Sequence, residues 1–98
     1  MNNVQEILHL ALMEFGAASQ LDKTCEECAE LIDALLKYKQ GRATTKEVAT
    51  ELADVMIMVQ QMIYLFDRQE YVDEYTAKVI RLEKLIKQHK EDGTKLCD

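Results

Sequence analysis

Proline is absent from this 98-residue chain, and glycine occurs only as Gly16, Gly41 and Gly93. Without proline nothing rigid interrupts a helix, and three glycines so far apart read as punctuation between periodic segments. No glycine-rich phosphate loop follows a strand, which excludes a Walker-type nucleotidase. Aromatic residues are few, at 6%, and none is interleaved with a basic patch, so the usual footprint of a nucleic-acid binder is missing. The longest unbroken apolar run, Val55 to Val59, is far shorter than the roughly 20 residues a bilayer requires. Cysteine is scarce and odd in number, with Cys97 in a polar tail, so reduced thiols are expected rather than a disulfide framework. The opening stretch MNNVQEILHLALMEF has no basic leader and no small-residue cleavage site, and a cytoplasmic protein is expected. Acidic residues outnumber basic ones by 18 to 12, giving a net charge of −6. Such a chain has no general attraction for nucleic acid or an anionic membrane, and would meet a phosphorylated ligand through metal ions.

Helical periodicity fills what remains. Asn3 with Glu6 resembles a capping box, and Val4, Ile7, Leu8, Ala11, Leu12 and Phe15 follow as an apolar stripe that Gly16 stops. Ser19 is a candidate cap for a second helix ending at Gly41. Thr44 with Glu47 opens a third, to about Phe66, and Asp67 with Glu70 a fourth, to about His89, with fraying expected over about 92–98. The reading is all-α, one domain over residues 1–98. On the third helix Val48, Leu52, Val55, Val59, Met62 and Ile63 fill one sector while Ala53, Met56 and Ile57 lie opposite. A helix apolar nearly all round is buried centrally. Four helices supply little cover for it, so a homo-oligomeric bundle is expected, a homodimer or homotetramer.

Acids at the edge of that apolar surface are the anomaly. Glu51 and Asp54 on the third helix, and Glu27 and Glu30 on the second, are spaced i, i+3 and border the apolar faces. Four carboxylates turned toward one seam repel and lose hydration, and a divalent cation removes the difficulty. An all-oxygen set suits Mg²⁺, or Mn²⁺ in its place. A ferritin-type site would need Glu-x-x-His pairs, and neither His9 nor His89 stands three residues after a glutamate. Spacing alone leaves two readings open, a metal site and a solvated acidic face.

EECAE at 26–30, twenty intervening residues and ELAD at 51–54 resemble the EExxE…ExxD signature of MazG-like nucleotide pyrophosphohydrolases, in the all-α NTP pyrophosphatase superfamily. Gln20-Leu21, AELIDALLKYKQG, ELADVMIMVQQM, Lys78 and Arg81 extend the resemblance over about residues 13–86. It implies hydrolysis of a nucleoside triphosphate between the α- and β-phosphates, to monophosphate and pyrophosphate. It further implies Glu27, Glu30, Glu51 and Asp54 as Mg²⁺ ligands, with Glu26 orienting water. Lys78 and Arg81 match family positions for phosphate contacts. Lys37, seven residues after Glu30 on the same face, is a further candidate. Gln20 and Phe15, near the first inter-helix turn, are candidates for the base or sugar, although Phe15 is more simply core.

Competing chemistries are weaker. Cys25 and Cys28 form a CxxC inside the same helix, past the first turn where the helix dipole lowers a thiol pKa and beside Glu26 and Glu27, which raise it. Cys28 falls on the apolar face and reads as packing. Met56, Met58 and Met62 read as core filling, and His9 as solvated. Phosphoribosyl-ATP pyrophosphohydrolase is a rival within the superfamily, but its second motif carries a histidine soon after the aspartate, whereas VMIMVQQM follows Asp54. A dUTPase or dCTPase specificity is a second rival among enzymes. From a different class, a helical regulator or adaptor could bind nucleotide or metal without turnover.

Overall fold

The computed structural model describes residues 3–97, with side chains through residue 93. Four helices carry almost all of them: α1 Val4–Phe15, α2 Ala17–Lys39, α3 Thr45–Leu65 and α4 Arg68–Cys97, and no strand occurs among the described residues. The chain divides into two units, one running to Phe66 and the other beginning at Asp67.

Helix ends follow from orphan backbone groups that each terminus must satisfy. Asn3 Oδ1 accepts from the Glu6 N–H at 2.8 Å, and Asn3 Nδ2 returns a bond to the Glu6 carboxylate at 3.3 Å. Thr44 Oγ1 accepts from the Glu47 N–H at 3.1 Å. Asp67 Oδ1 accepts from the N–H groups of Gln69 and Glu70 at 2.9 and 3.1 Å. At the end of α2 Gly41 takes φ 75°, its N–H donates to the Tyr38 carbonyl and the Arg42 N–H reaches back to that of Lys37. That pair of bonds is a Schellman closure, which glycine permits because it has no Cβ to clash.

Gly16, not Ser19, joins the first two helices. Its N–H donates to the Leu12 carbonyl at 3.0 Å, closing α1, and its own carbonyl accepts from the Gln20 N–H at 3.1 Å, opening α2. Its backbone, at φ 88° and ψ 154°, lies in a region nearly closed to other residues. Ser19 therefore sits inside α2. The expected end of α4 near His89 is also displaced, because the helix continues through Gly93 to Cys97. Gly93 has no positive φ, and a glycine in ordinary helical geometry weakens a helix without ending it.

In the first unit α2 and α3 form an antiparallel hairpin with the most extensive contact, and α1 packs on both. Leu8 and Leu12 of α1 and Met58 of α3 are the buried apolar residues. The rest of the α1 stripe is only partly used: Ala11 is half-buried, while Val4, Ile7 and Phe15 are exposed. Along α3, Val48, Val55, Val59, Met62 and Ile63 are half-buried, whereas Leu52, Met56 and Ile57 remain exposed. By length and composition α3 could cross a membrane. It carries Glu51 and Asp54 near its middle, however, and each charge there opposes insertion by roughly 2.5–3.5 kcal/mol.

Glycine-to-alanine exchanges separate the two roles of glycine. Beyond the chain neighbours and the helix's own backbone, no described heavy atom lies within 4 Å of a Cβ built at Gly16 or Gly93, so backbone conformation is what distinguishes them. Gly16→Ala should lower unfolding free energy in urea by about 1–3 kcal/mol. Gly93→Ala should leave it unchanged or raise it by up to about 1 kcal/mol. Equal effects would remove the special role of Gly16.

Candidate metal centre

The α2–α3 seam brings acids from both helices together. Carboxylate oxygens of Glu27, Glu51 and Asp54 lie within 4.8 Å of one another. Glu27 is buried at 6% exposure, and Glu51 and Asp54 are half-buried. Lys23, one turn before Glu27, donates to its Oε1 at 3.2 Å. Two further oxygens of the cluster, Oε2 of Glu27 and Oε2 of Glu51, are buried without a hydrogen-bond partner. Buried polar atoms are otherwise nearly always paired. Two such acceptors, close together and of one charge, fit a cation. Donors on opposite sides of a hard divalent ion, with bonds of about 2.1–2.5 Å, stand roughly 4–5 Å apart, in keeping with the observed spacing. The donor set is oxygen only, as such ions prefer.

Glu30 stands outside this trio and is exposed, yet it feels the same field. The Glu27 charge, then loss of hydration, then the Glu51 charge push its carboxyl above the usual pKa. Hydrogen bonding to Glu27, together with the charges of Glu27, Glu26 and Glu30, raises that of Lys23.

Two depressions flank the acids within this unit. One, of about 380 Å³, is lined by Glu30, Asp33, Lys37, Glu47 and Glu51 among others. Lys37 enters it already paired with Asp33 at 2.7 Å. The other, of about 550 Å³, is lined by Phe15, Ser19, Gln20, Asp22, Lys23, Glu26 and Met58. Both volumes fall within the usual range of small-ligand sites, roughly 300–1,000 Å³. Phe15 is exposed at 63% rather than taken into the core. Gln20 is buried, and its Nε2 donates to Gln61 Oε1 at 2.7 Å. Lys78 and Arg81 lie on α4, in the second unit.

The thiols stay apart from this chemistry: Cys25 is exposed and Cys28 half-buried, both free; Cys97 lies outside the described side chains. Met58 is buried as core, Met62 half-buried, and Met56 exposed. His9 is exposed as expected, but its ring also meets Tyr64 edge-on, with centroids 6.0 Å apart. Lys23 and Gln61 escaped the sequence reading. Lys23 had a signal, an i, i+4 spacing to Glu27. Gln61 had one too, as an amide two turns after Asp54 on an apolar helix.

Two measurements follow from the crowded charges. A carboxyl whose folded-state pKa exceeds its unfolded value adds stability that is complete below the unfolded value and is lost as pH rises through the folded one. Glu30, raised from 4.5, should therefore weaken the metal-free fold at neutral pH. In chelator, Glu30→Gln should melt above wild type at pH 7, with the gap closing as pH falls toward 4.5; a gap independent of pH would overturn this. Asp54→Asn, which relieves repulsion, should melt at or above wild type in chelator but lack the rise in melting point expected of wild type in a divalent cation. A metal-induced rise retained in that variant would remove Asp54 from the site.

The family model for the MazG nucleotide pyrophosphohydrolase domain matches residues 15–92. The match contains all the acids described above and runs across both units. No individual curated protein and no solved structure matches the chain. With most of its length covered by the family model, the chain belongs to the MazG nucleotide pyrophosphohydrolase family.

Proposed function

We propose that the protein hydrolyses nucleoside triphosphates, ribo or deoxyribo, between the α- and β-phosphates in a Mg²⁺-dependent reaction, releasing the monophosphate and pyrophosphate. The family match supports nucleotide pyrophosphohydrolase chemistry in general. The observation that carries the finer reading is the pair of buried, partnerless oxygens on Glu27 and Glu51, within a three-carboxylate cluster. Glu27, Glu51 and Asp54 would hold the ion, with Glu30 at the exposed edge. Bound there, Mg²⁺ supplies positive charge to the phosphate oxygens and lowers the pKa of water.

The chain's own groups do the rest. Lys23 pairs with Glu27 from the solvent side and offsets part of its charge. Glu26, exposed and sharing a depression with Lys23, can accept the proton of an attacking water, as a carboxylate not taken up by metal can. Phe15 offers an exposed aromatic face to a base in the same depression, beside Gln20. Lys37, which lines the other depression, is the phosphate contact proposed on that side, and Lys78 and Arg81 are proposed phosphate contacts from the family resemblance. In-line displacement on phosphorus needs little covalent help from the protein beyond such positioning and charge.

We also propose that the working form is a homo-oligomer, a dimer or tetramer. Exposure of Leu52, Met56 and Ile57 on α3 supports this, since a second subunit would cover them.

Eight NTPs and dNTPs, incubated with Mg²⁺ or with chelator and resolved by ion exchange, test the reaction. Monophosphate plus pyrophosphate, formed only with metal, is the expected result. Orthophosphate plus diphosphate would refute the α–β cleavage, and no turnover on any of the eight would refute the NTP assignment. Glu27→Gln and Asp54→Asn should each lower kcat by a factor of at least ~100 with helicity retained, as expected when a charge central to the transition state is lost. Cys25→Ser should stay within a few-fold of wild type.

A further inference from the structure

Gln20 and Gln61 have no assigned part in holding a cation, yet they form the one side-chain hydrogen bond between α2 and α3 found among the described residues. Both are buried, at 6% and 2% exposure, and Gln20 Nε2 donates to Gln61 Oε1 at 2.7 Å. Gln61 Nε2 is left a weak contact with the Met58 sulfur at 3.8 Å. Two buried amides are an expensive way to make contact: isosteric apolar side chains at both places would be nearly neutral for stability or would improve it. Their placement suggests another use.

Gln20 lies seven residues before Glu27, and Gln61 seven residues after Asp54. Glu30 lies three after Glu27, and Glu51 three before Asp54. The antiparallel register that joins the glutamines is therefore the register that sets the two acid pairs opposite each other. Glu27, Asp54 and Glu51 cluster in it, and Glu30 and Glu51 line one depression. Apolar contact alone specifies this register poorly. Since α3 is apolar on nearly every side, sliding it one turn along α2 would still place apolar residues against apolar ones. Such a slide moves each acid by ~5.4 Å, more than the 4.8 Å that contains the cluster. It would also leave both buried amides unpaired, which is the penalty that excludes it.

We infer that the buried Gln20–Gln61 pair is the register lock of the α2–α3 hairpin, and that it acts on the reaction by positioning Glu27, Glu51 and Asp54. The inference rests on the reading of those acids as a cation site. Single buried polar residues fix register in other helical assemblies in the same way, trading stability for specificity.

The test is the double variant Gln20→Met with Gln61→Met, which keeps side-chain length and helix propensity and removes both amides. Three readouts are taken on the full chain: thermal melting by circular dichroism, Mn²⁺ binding by loss of the free-ion electron paramagnetic signal, and methyl NOEs across the α2–α3 seam in chelator. Expected are wild-type helicity, a melting point equal to or above wild type, Mn²⁺ affinity at least tenfold weaker, and a shifted or doubled set of NOEs. A wild-type NOE set overturns the lock whatever the affinity does. Loss of the helical fold also overturns it, because the pair would then supply stability rather than register. If wild type itself binds no Mn²⁺, the cation reading fails, and the NOEs alone still decide the lock.

Discussion

Electrostatic repulsion inside a helical hairpin is the constraint around which the first unit is arranged. Two unit charges about 4 Å apart repel by on the order of 4 kcal/mol at an effective dielectric near 20. A domain's whole stability is only about 5–15 kcal/mol. Glu27, nearly out of water, meets Glu51 and Asp54 across the seam, with Oε2 of both glutamates lacking a donor. Lys23 answers part of this from one side. A half-exposed lysine at one oxygen leaves the others unanswered, and the raised pKa of Glu30 shows the field extending to the exposed edge. Acids that served only solubility would point outward, where water screens them for nothing. Glu27 points inward instead, toward two half-buried acids, an arrangement that a cation would relieve.

Holding like charges together demands a stiff frame, and the helix ends supply it. Side-chain caps at Asn3 and Thr44 and the glycine closure at Gly41 satisfy termini that would otherwise fray. Gly16 ends one helix and begins the next with its own N–H and carbonyl, so α1 and α2 share a junction of a single residue. With no loop there to absorb movement, α1 is held to the N-terminal turns of α2, beside Gln20 and Lys23. Between α2 and α3 the connection is short as well, and the seam relies on the glutamine pair for its register. Precision at the acids is thus inherited from elements two turns away and from the turn at each end.

Much of this was legible in the chain because helical chemistry is local. Caps three residues ahead of their partners and a glycine after the last apolar turn need no tertiary information, and the helices follow from them; the family rests instead on the resemblance of EECAE and ELAD to its signature. Where the reading of Ser19 as a cap fails, the reason is equally local: glycine's positive φ lets a helix start one residue after the previous one stops, a geometry that a serine signal masks. What was not legible depends on the partner helix. Wheel geometry put Glu27 and Glu30 on one border and could not say that the first would be buried and the second exposed. Nor could it show that Gln61 finds Gln20 forty-one positions away. Those are facts of the crossing between α2 and α3.

The six residues CEECAE carry two possible chemistries on one turn and a half of helix, and burial separates them. Cys25 is exposed and Cys28 only half-buried, and both thiols are free. Glu27, between them in sequence, is the residue driven into the seam. A chain with net charge −6 would repel a triphosphate just as its acids repel one another. On the proposed reading a cation held by Glu27, Glu51 and Asp54 would relieve both repulsions by supplying positive charge between acids and phosphate. In that reading an acidic protein would serve an acidic substrate without a basic cleft.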